Sequence, residues 1–116
     1  MLIGELMRRA DVSRDTVRHY EDLGLLHDSH VCRKTNGYRD YNASAVDRIL
    51  FVKKAQSAGF TLGQIAQVAD DWEGNTLPIE EKKKILAKQL VVIDQRINDL
   101  ESLRDEIVAM LAKDDL

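Results

Sequence analysis

The sequence predicts a mainly α-helical fold in two parts, a small helical domain carrying one β-hairpin and a single long helix behind it. Three observations predict it. Helix-start and helix-stop residues recur at short spacing through residues 1–72. An Asn-Gly pair, Asn36-Gly37, sits in an aperiodic basic stretch. From Ile79 onward there is no Gly or Pro, and apolar residues recur in steps of four and three.

Residues 2–9 form the first short helix, with Ile3, Leu6, Met7 and Ala10 along one side. The segment "ADVS" interrupts it. Val12 is placed to plug a turn, and Ser13 is an N-cap whose hydroxyl accepts a backbone N–H of the next helix. That second helix runs from Arg14 to about Leu23. Val17, Tyr20 and Leu23, with Leu26 beyond them, face inward, whereas Arg14, Asp15, Arg18 and His19 lie on other faces. Gly24 suits a left-handed position at the helix end. Two short helices around a tight, plugged turn have the outline of a helix-turn-helix.

Periodicity then disappears from His27 to Asn42, and Asn36-Gly37 marks a hairpin turn with Arg33 and Lys34 before it and Arg39 after it. This is a small basic wing. A third helix spans 44–58, capped by Ser44 or Asn42, with Val46, Ile49, Leu50, Val52 and Ala55 on a broad apolar face, and it stops at Gly59. Thr61 caps a fourth, "LGQIAQVADDW", whose apolar positions are Leu62, Ile65, Ala66, Val68 and Ala69. "EGNTLP" reads as a linker. The expected organisation is a winged helix-turn-helix domain over 1–72, a linker over 73–78, a long helix over 79–112 and a tail over 113–116.

The long helix carries Leu86, Leu90, Ile93, Ile97, Leu100, Ile107 and Leu111 in one seam, with Arg104 as its polar member. At 1.5 Å per residue it extends about 50 Å, further than a small domain can cover. A sustained apolar stripe of this length calls for another helix, so the expectation is a homodimer joined by a two-helix coiled coil.

Composition narrows the function classes. The chain has 116 residues, 44% of them hydrophobic and 32% charged, with one proline, which is the profile of a folded domain. The longest apolar runs are too short to span a membrane, and Glu5, Arg8 and Arg9 interrupt the N-terminal segment where a signal peptide would be apolar, so a cytoplasmic location without membrane partners is expected. The net charge of −3 conceals an asymmetry: residues 1–60 carry +2 and residues 61–116 carry −5. The first half is the better polyanion surface.

Catalytic signatures such as a G-x-S-x-G elbow, a P-loop or H-E-x-x-H do not occur, and an enzyme is not expected. His27, His30 and Cys32 place three soft-metal donors within six residues, but structural zinc sites take four protein ligands and no fourth is near. Neither a metal nor a cofactor is called for. Cys32, beside Arg33 and Lys34, is the single cysteine and reads as an incidental exposed thiol. The second helix of a helix-turn-helix enters the major groove, where Arg14 or Arg18 offers a guanidinium fork to guanine; Thr16, His19 and Tyr20 reach phosphates or thymine methyls. Arg33, Lys34, Tyr38 and Arg39 on the wing would add backbone contacts that set register.

"IGELMRRADVSRDTVRHYEDLGLL" and "NGYRDYNASAVDRILFVKKAQSAGFTLGQI" together resemble the MerR family of bacterial transcription regulators. The resemblance covers about the first 70 residues and rests on Thr16-Val17-Arg18, Tyr20-Glu21, Gly24-Leu25-Leu26, Gly37-Tyr38-Arg39, Tyr41 and Gly59-Phe60. It implies a dimer joined by antiparallel long helices, bound to a pseudo-palindrome in double-stranded promoter DNA. Such a dimer bends and untwists the promoter so that RNA polymerase meets two overspaced elements in line.

On that resemblance the DNA-binding set is Ser13, Arg14, Thr16, Arg18, His19, Tyr20, Arg33, Lys34, Tyr38 and Arg39, with Lys53 or Lys54 serving a second wing around Gly59. His19 departs from the family's usual aromatic residue. The family's copper, zinc and mercury sensors place a cysteine or serine near the start of the long helix and two cysteines after it. Here those regions read "NTLPIEEKKK" and "LAKDDL", without cysteine, so the resemblance names no inducer. The alternative is a DNA-architectural protein resembling short MerR-like excisionases, against which the long helix weighs.

Overall fold

The computed structural model describes residues 1–33 and 37–113. They fall into two compact units, Met1–Leu77 and the segment from Pro78 onward. The first holds α1 (Ile3–Ala10), α2 (Arg14–Asp22), β1 (Val31–Arg33), β2 (Arg39–Tyr41), α3 (Ala43–Ser57) and α4 (Leu62–Glu73); the second is α5 (Ile79–Lys113).

Local chemistry fixes most helix ends. Asp11, with φ of 53°, closes α1 in the left-handed region, and its carbonyl and that of Ala10 accept hydrogen bonds from Lys53 Nζ at 2.9 and 3.1 Å. An ammonium at that end also meets the negative pole of α1. Ser13 Oγ accepts from Thr16 N at 3.1 Å and caps α2. Asn42 takes the cap of α3, its side chain accepting from Ser44 N at 3.0 Å. Thr61 and Gln64 form a reciprocal capping box on α4, at 3.1 and 2.9 Å.

Leu6, Ala10, Val17, Tyr20, Leu25, Leu26, Tyr41, Ala45, Ile49, Val52, Ile65 and Ala69 make one core, with Val12 packed against it at the α1–α2 turn. Two inward assignments need correcting. Leu23 is exposed, because α2 ends at Asp22 and Gly24, at φ of 79°, turns the chain so that Leu25 enters the core in its place, beside Leu26, which faces inward as expected. Leu50 is also exposed, since α3 presents Ala45, Arg48, Ile49 and Val52 to the core and position 50 lies off that face.

β1 and β2 pair antiparallel, Val31 with Tyr41, Cys32 with Asp40 and Arg33 with Arg39. Asn36 of the expected turn lies outside the described residues, and Gly37 has φ of 83°. β2 is fastened on its other side by Met1, whose ammonium lies 2.7 Å from Asp40 Oδ1 and whose carbonyl accepts from Tyr41 N at 2.7 Å.

In the second unit α5 runs unbroken for 35 residues. Leu86, Leu90, Ile97, Leu100, Ile107 and Leu111 are each between 48% and 61% exposed on it, an apolar stripe open to solvent among the described residues. Leu103, Val108 and Met110 widen the stripe toward the C-terminal end.

Candidate nucleic-acid interface

The amphipathic division of α2 positions the site. Val17 and Tyr20 are buried and hold the helix down, which turns Arg14, Asp15, Arg18 and His19 outward. Tyr20 is spent on the core: its hydroxyl donates to Gln56 Oε1 at 3.1 Å, and burial pushes its pKa up. Ser13 and Thr16 share a hydroxyl contact of 2.9 Å at the start of α2. His19 opens onto a shallow groove of about 370 Å³ that it lines with Asp15, Thr16, Tyr20, Gln56 and Leu62, between α2 and the α3–α4 junction.

The wing stands beside this helix. Tyr38 is 66% exposed. Arg39 forms an ion pair with Glu21 Oε2 at the end of α2, and Tyr41 on the same strand donates its hydroxyl to Glu21 Oε1. Tyr41 is buried, which raises its pKa, while the positive charges of Arg39, Arg18 and Arg14 act in the opposite direction. Those three guanidinium groups therefore lie within electrostatic reach of one wing residue. Lys34 lies outside the described residues, and Arg33 is placed by its backbone pairing with Arg39. Of the second-wing lysines, Lys53 is engaged on the end of α1 and Lys54 is exposed.

Behind the wing lies a polar cluster that the sequence does not disclose as a unit. Arg48 is buried within α3, donating to Leu25 O at 3.0 Å and to Asp70 Oδ1 at 2.8 Å, with Nε 2.6 Å from Glu73 Oε1. His27 Nε2 meets the same Asp70 oxygen at 2.9 Å. His30, 6% exposed, accepts from His27 N at 3.1 Å, and its pKa falls to about 4 because burial and the nearby Arg48 and His27 disfavour its charged form. Both histidines thus join a structural network between the α2–wing loop, α3 and α4, while Cys32 is exposed on β1. Among the described residues, no three His, Cys, Asp or Glu side chains make a group able to hold a metal ion. Residue type alone leaves Arg48 outside the core; the signal that could have found it is its spacing with Ala45, Ile49 and Val52.

Comparison with known proteins agrees with this geometry. The family model described as MerR HTH family regulatory protein matches residues 1–72, and a second, described as MerR, DNA binding, matches residues 46–110. The chain is 33% identical over 104 residues to the HTH-type transcriptional regulator HmrR of Rhizobium leguminosarum bv. viciae, spanning 90% of this chain and 78% of that one. Its fold is similar to the transcription regulator PbrR691 from Ralstonia metallidurans CH34 in complex with lead(II), with a TM-score of 0.73, 27% identity and coverage of 97% and 86%. HiNmlR, a MerR family regulator lacking the sensor domain and bound to promoter DNA, shares the fold at a TM-score of 0.75 and 21% identity, covering 97% of this chain and 83% of that one. The winged helix-turn-helix, the long helix behind it and the matched segments assign the chain to a family: it belongs to the MerR helix-turn-helix regulatory proteins.

Proposed function

We propose that this chain is a homodimeric transcription regulator that binds a pseudo-palindromic promoter element and acts by bending and untwisting it. The observation that carries the reading is the outward face of α2, where Arg14 and Arg18 are exposed and, among the described residues, form no ion pair. Arginine forks at that place suit guanine edges in the major groove. Tyr38 on the wing and Lys54 on α3 contact phosphate to either side and set register. His19, facing the groove between α2 and the α3–α4 junction, takes a backbone contact there.

The domain covers 1–72, and the helix from Ile79 supplies dimerisation through Leu86, Leu90, Ile93, Ile97, Leu100, Ile107 and Leu111. MerR regulators act as dimers on promoter DNA, and the exposed seam of α5 is the surface such a dimer needs. It also favours this reading over a DNA-architectural accessory protein. RNA polymerase is the further partner, engaged at the reshaped promoter. No described helix is long and apolar enough to cross a membrane.

The test is a gel shift on DNA upstream of the protein's own coding sequence. Replacing Arg18 by alanine should weaken specific binding by about 1 to 3 kcal/mol and leave binding to random duplex nearly unchanged. Equal specific affinity in Arg18→Ala would remove α2 from the groove.

A further inference from the structure

We propose that Glu21, Arg39 and Tyr41 form a strut that sets the wing against the reading helix, so that Arg39 serves recognition through Glu21 and not as a phosphate ligand. The inference rests on the DNA-binding reading and reassigns one residue within it. Glu21 is in the last turn of α2, where a carboxylate meets the negative pole of its own helix and is unfavourable without partners. It has two. Its Oε1 accepts the buried Tyr41 hydroxyl and its Oε2 pairs with the Arg39 guanidinium, leaving the side chain 14% exposed. Arg39 and Tyr41 alternate on β2 and so present to one face of the strand, which lets a single carboxylate hold both.

The charge balance points the same way. Glu21 neutralises the wing arginine while fixing where the wing stands. A phosphate that drew Arg39 away from Glu21 would leave that carboxylate, 14% exposed beside Tyr41, without its counter-charge. Arg39 is therefore a positioning residue, and the phosphate contacts of the wing fall to its neighbours.

The salt dependence of DNA binding decides between the two roles, because each phosphate contact contributes about 0.9 to the slope of log K against log salt. Arg39→Gln should leave the slope of the unaltered protein in place and narrow the ratio of specific to random-duplex affinity several-fold. Glu21→Gln frees the guanidinium and should steepen the slope by about 0.9, with the same loss of ratio. The double variant should lose no more ratio than either single one, as expected for members of one unit. A slope reduced by about 0.9 in Arg39→Gln, with the ratio intact, overturns the strut. Amide exchange in the DNA-free protein tests the strut a second way: Glu21→Gln, Arg39→Gln and the milder Tyr41→Phe should speed exchange at the β1–β2 amides and not in α3. Unchanged hairpin exchange overturns the strut independently of DNA. If the unaltered protein bound no duplex, the underlying reading would fall, and exchange alone would decide whether the strut exists.

Discussion

Acid should cost the unit Met1–Leu77 stability through His30. Its ring is almost wholly buried between the loop after α2 and the Arg48 guanidinium, and its pKa drops from 6.5 to about 4, burial first and Arg48 and His27 after it, with Asp70 opposing. Between pH 6.5 and 4 the unfolded chain binds a proton at this position that the folded chain refuses, so stability falls as pH falls through that window. The full window corresponds to about 3 kcal/mol. Asp70 adds no loss there: its carboxyl is held below the ordinary range by hydrogen bonds from His27 and Arg48, and its contribution lasts until the pH falls further. Urea unfolding at about pH 7 and about pH 4.5 should therefore show a drop of about 2 to 3 kcal/mol in the unaltered protein. His30→Gln keeps an acceptor for His27 N, has no proton to gain, and should lose markedly less. Equal losses in the two proteins would place the acid sensitivity elsewhere.

At the scale of elements, α5 is set apart by its exposed apolar stripe. Fully burying a leucine or isoleucine is worth about 1.5 to 3 kcal/mol, Leu100 starting exposed and Ile93 half-buried, and a carboxylate in their place must be desolvated as well. Ile93→Asp with Leu100→Asp should sediment as a monomer while its far-ultraviolet spectrum shows α1 to α4 still folded; a double variant that remained dimeric would remove the seam from the interface. This seam was legible because its repeat is local to one helix, and so were the caps at Ser13 and Thr61, where each donor and acceptor lies within four residues. The contacts that sequence did not disclose are long in separation: Lys53 on the end of α1, Arg48 on Leu25 and Asp70, Glu21 on Arg39 and Tyr41. Arginine, lysine and glutamate read as solvated by type, and only the fold brings them their partners. The candidate interface shows the same division. Arg14 and Arg18 followed from the helical period of α2, whereas the engagement of Lys53 and Arg39 depended on neighbours 42 and 18 residues away.

For the whole molecule, the distribution of charge and the doubling of the chain bear on how transcription is controlled. A dimer carries two copies of α2, so the DNA it reads is two-fold related, and the spacing between half-sites is set by the protein's geometry. Holding both half-sites on one distorted duplex would cost about 1 to 10 kcal/mol, which phosphate contacts from the two DNA-binding heads must offset. Each base pair inserted between two polymerase-recognition elements rotates one about the helix axis by roughly 34°, following from 10 to 10.5 base pairs per turn. Two surplus base pairs leave them well out of line, and an untwisting dimer restores the alignment that naked DNA lacks. Footprinting should accordingly find the protected element inside a promoter spacer longer than the ordinary one. Deleting two base pairs from that spacer should raise transcription in vitro in the absence of the protein and abolish its dependence on added protein. Dependence that survived the deletion, or a footprint over a spacer of ordinary length, would overturn distortion as the mechanism and leave a regulator that acts by occupancy alone.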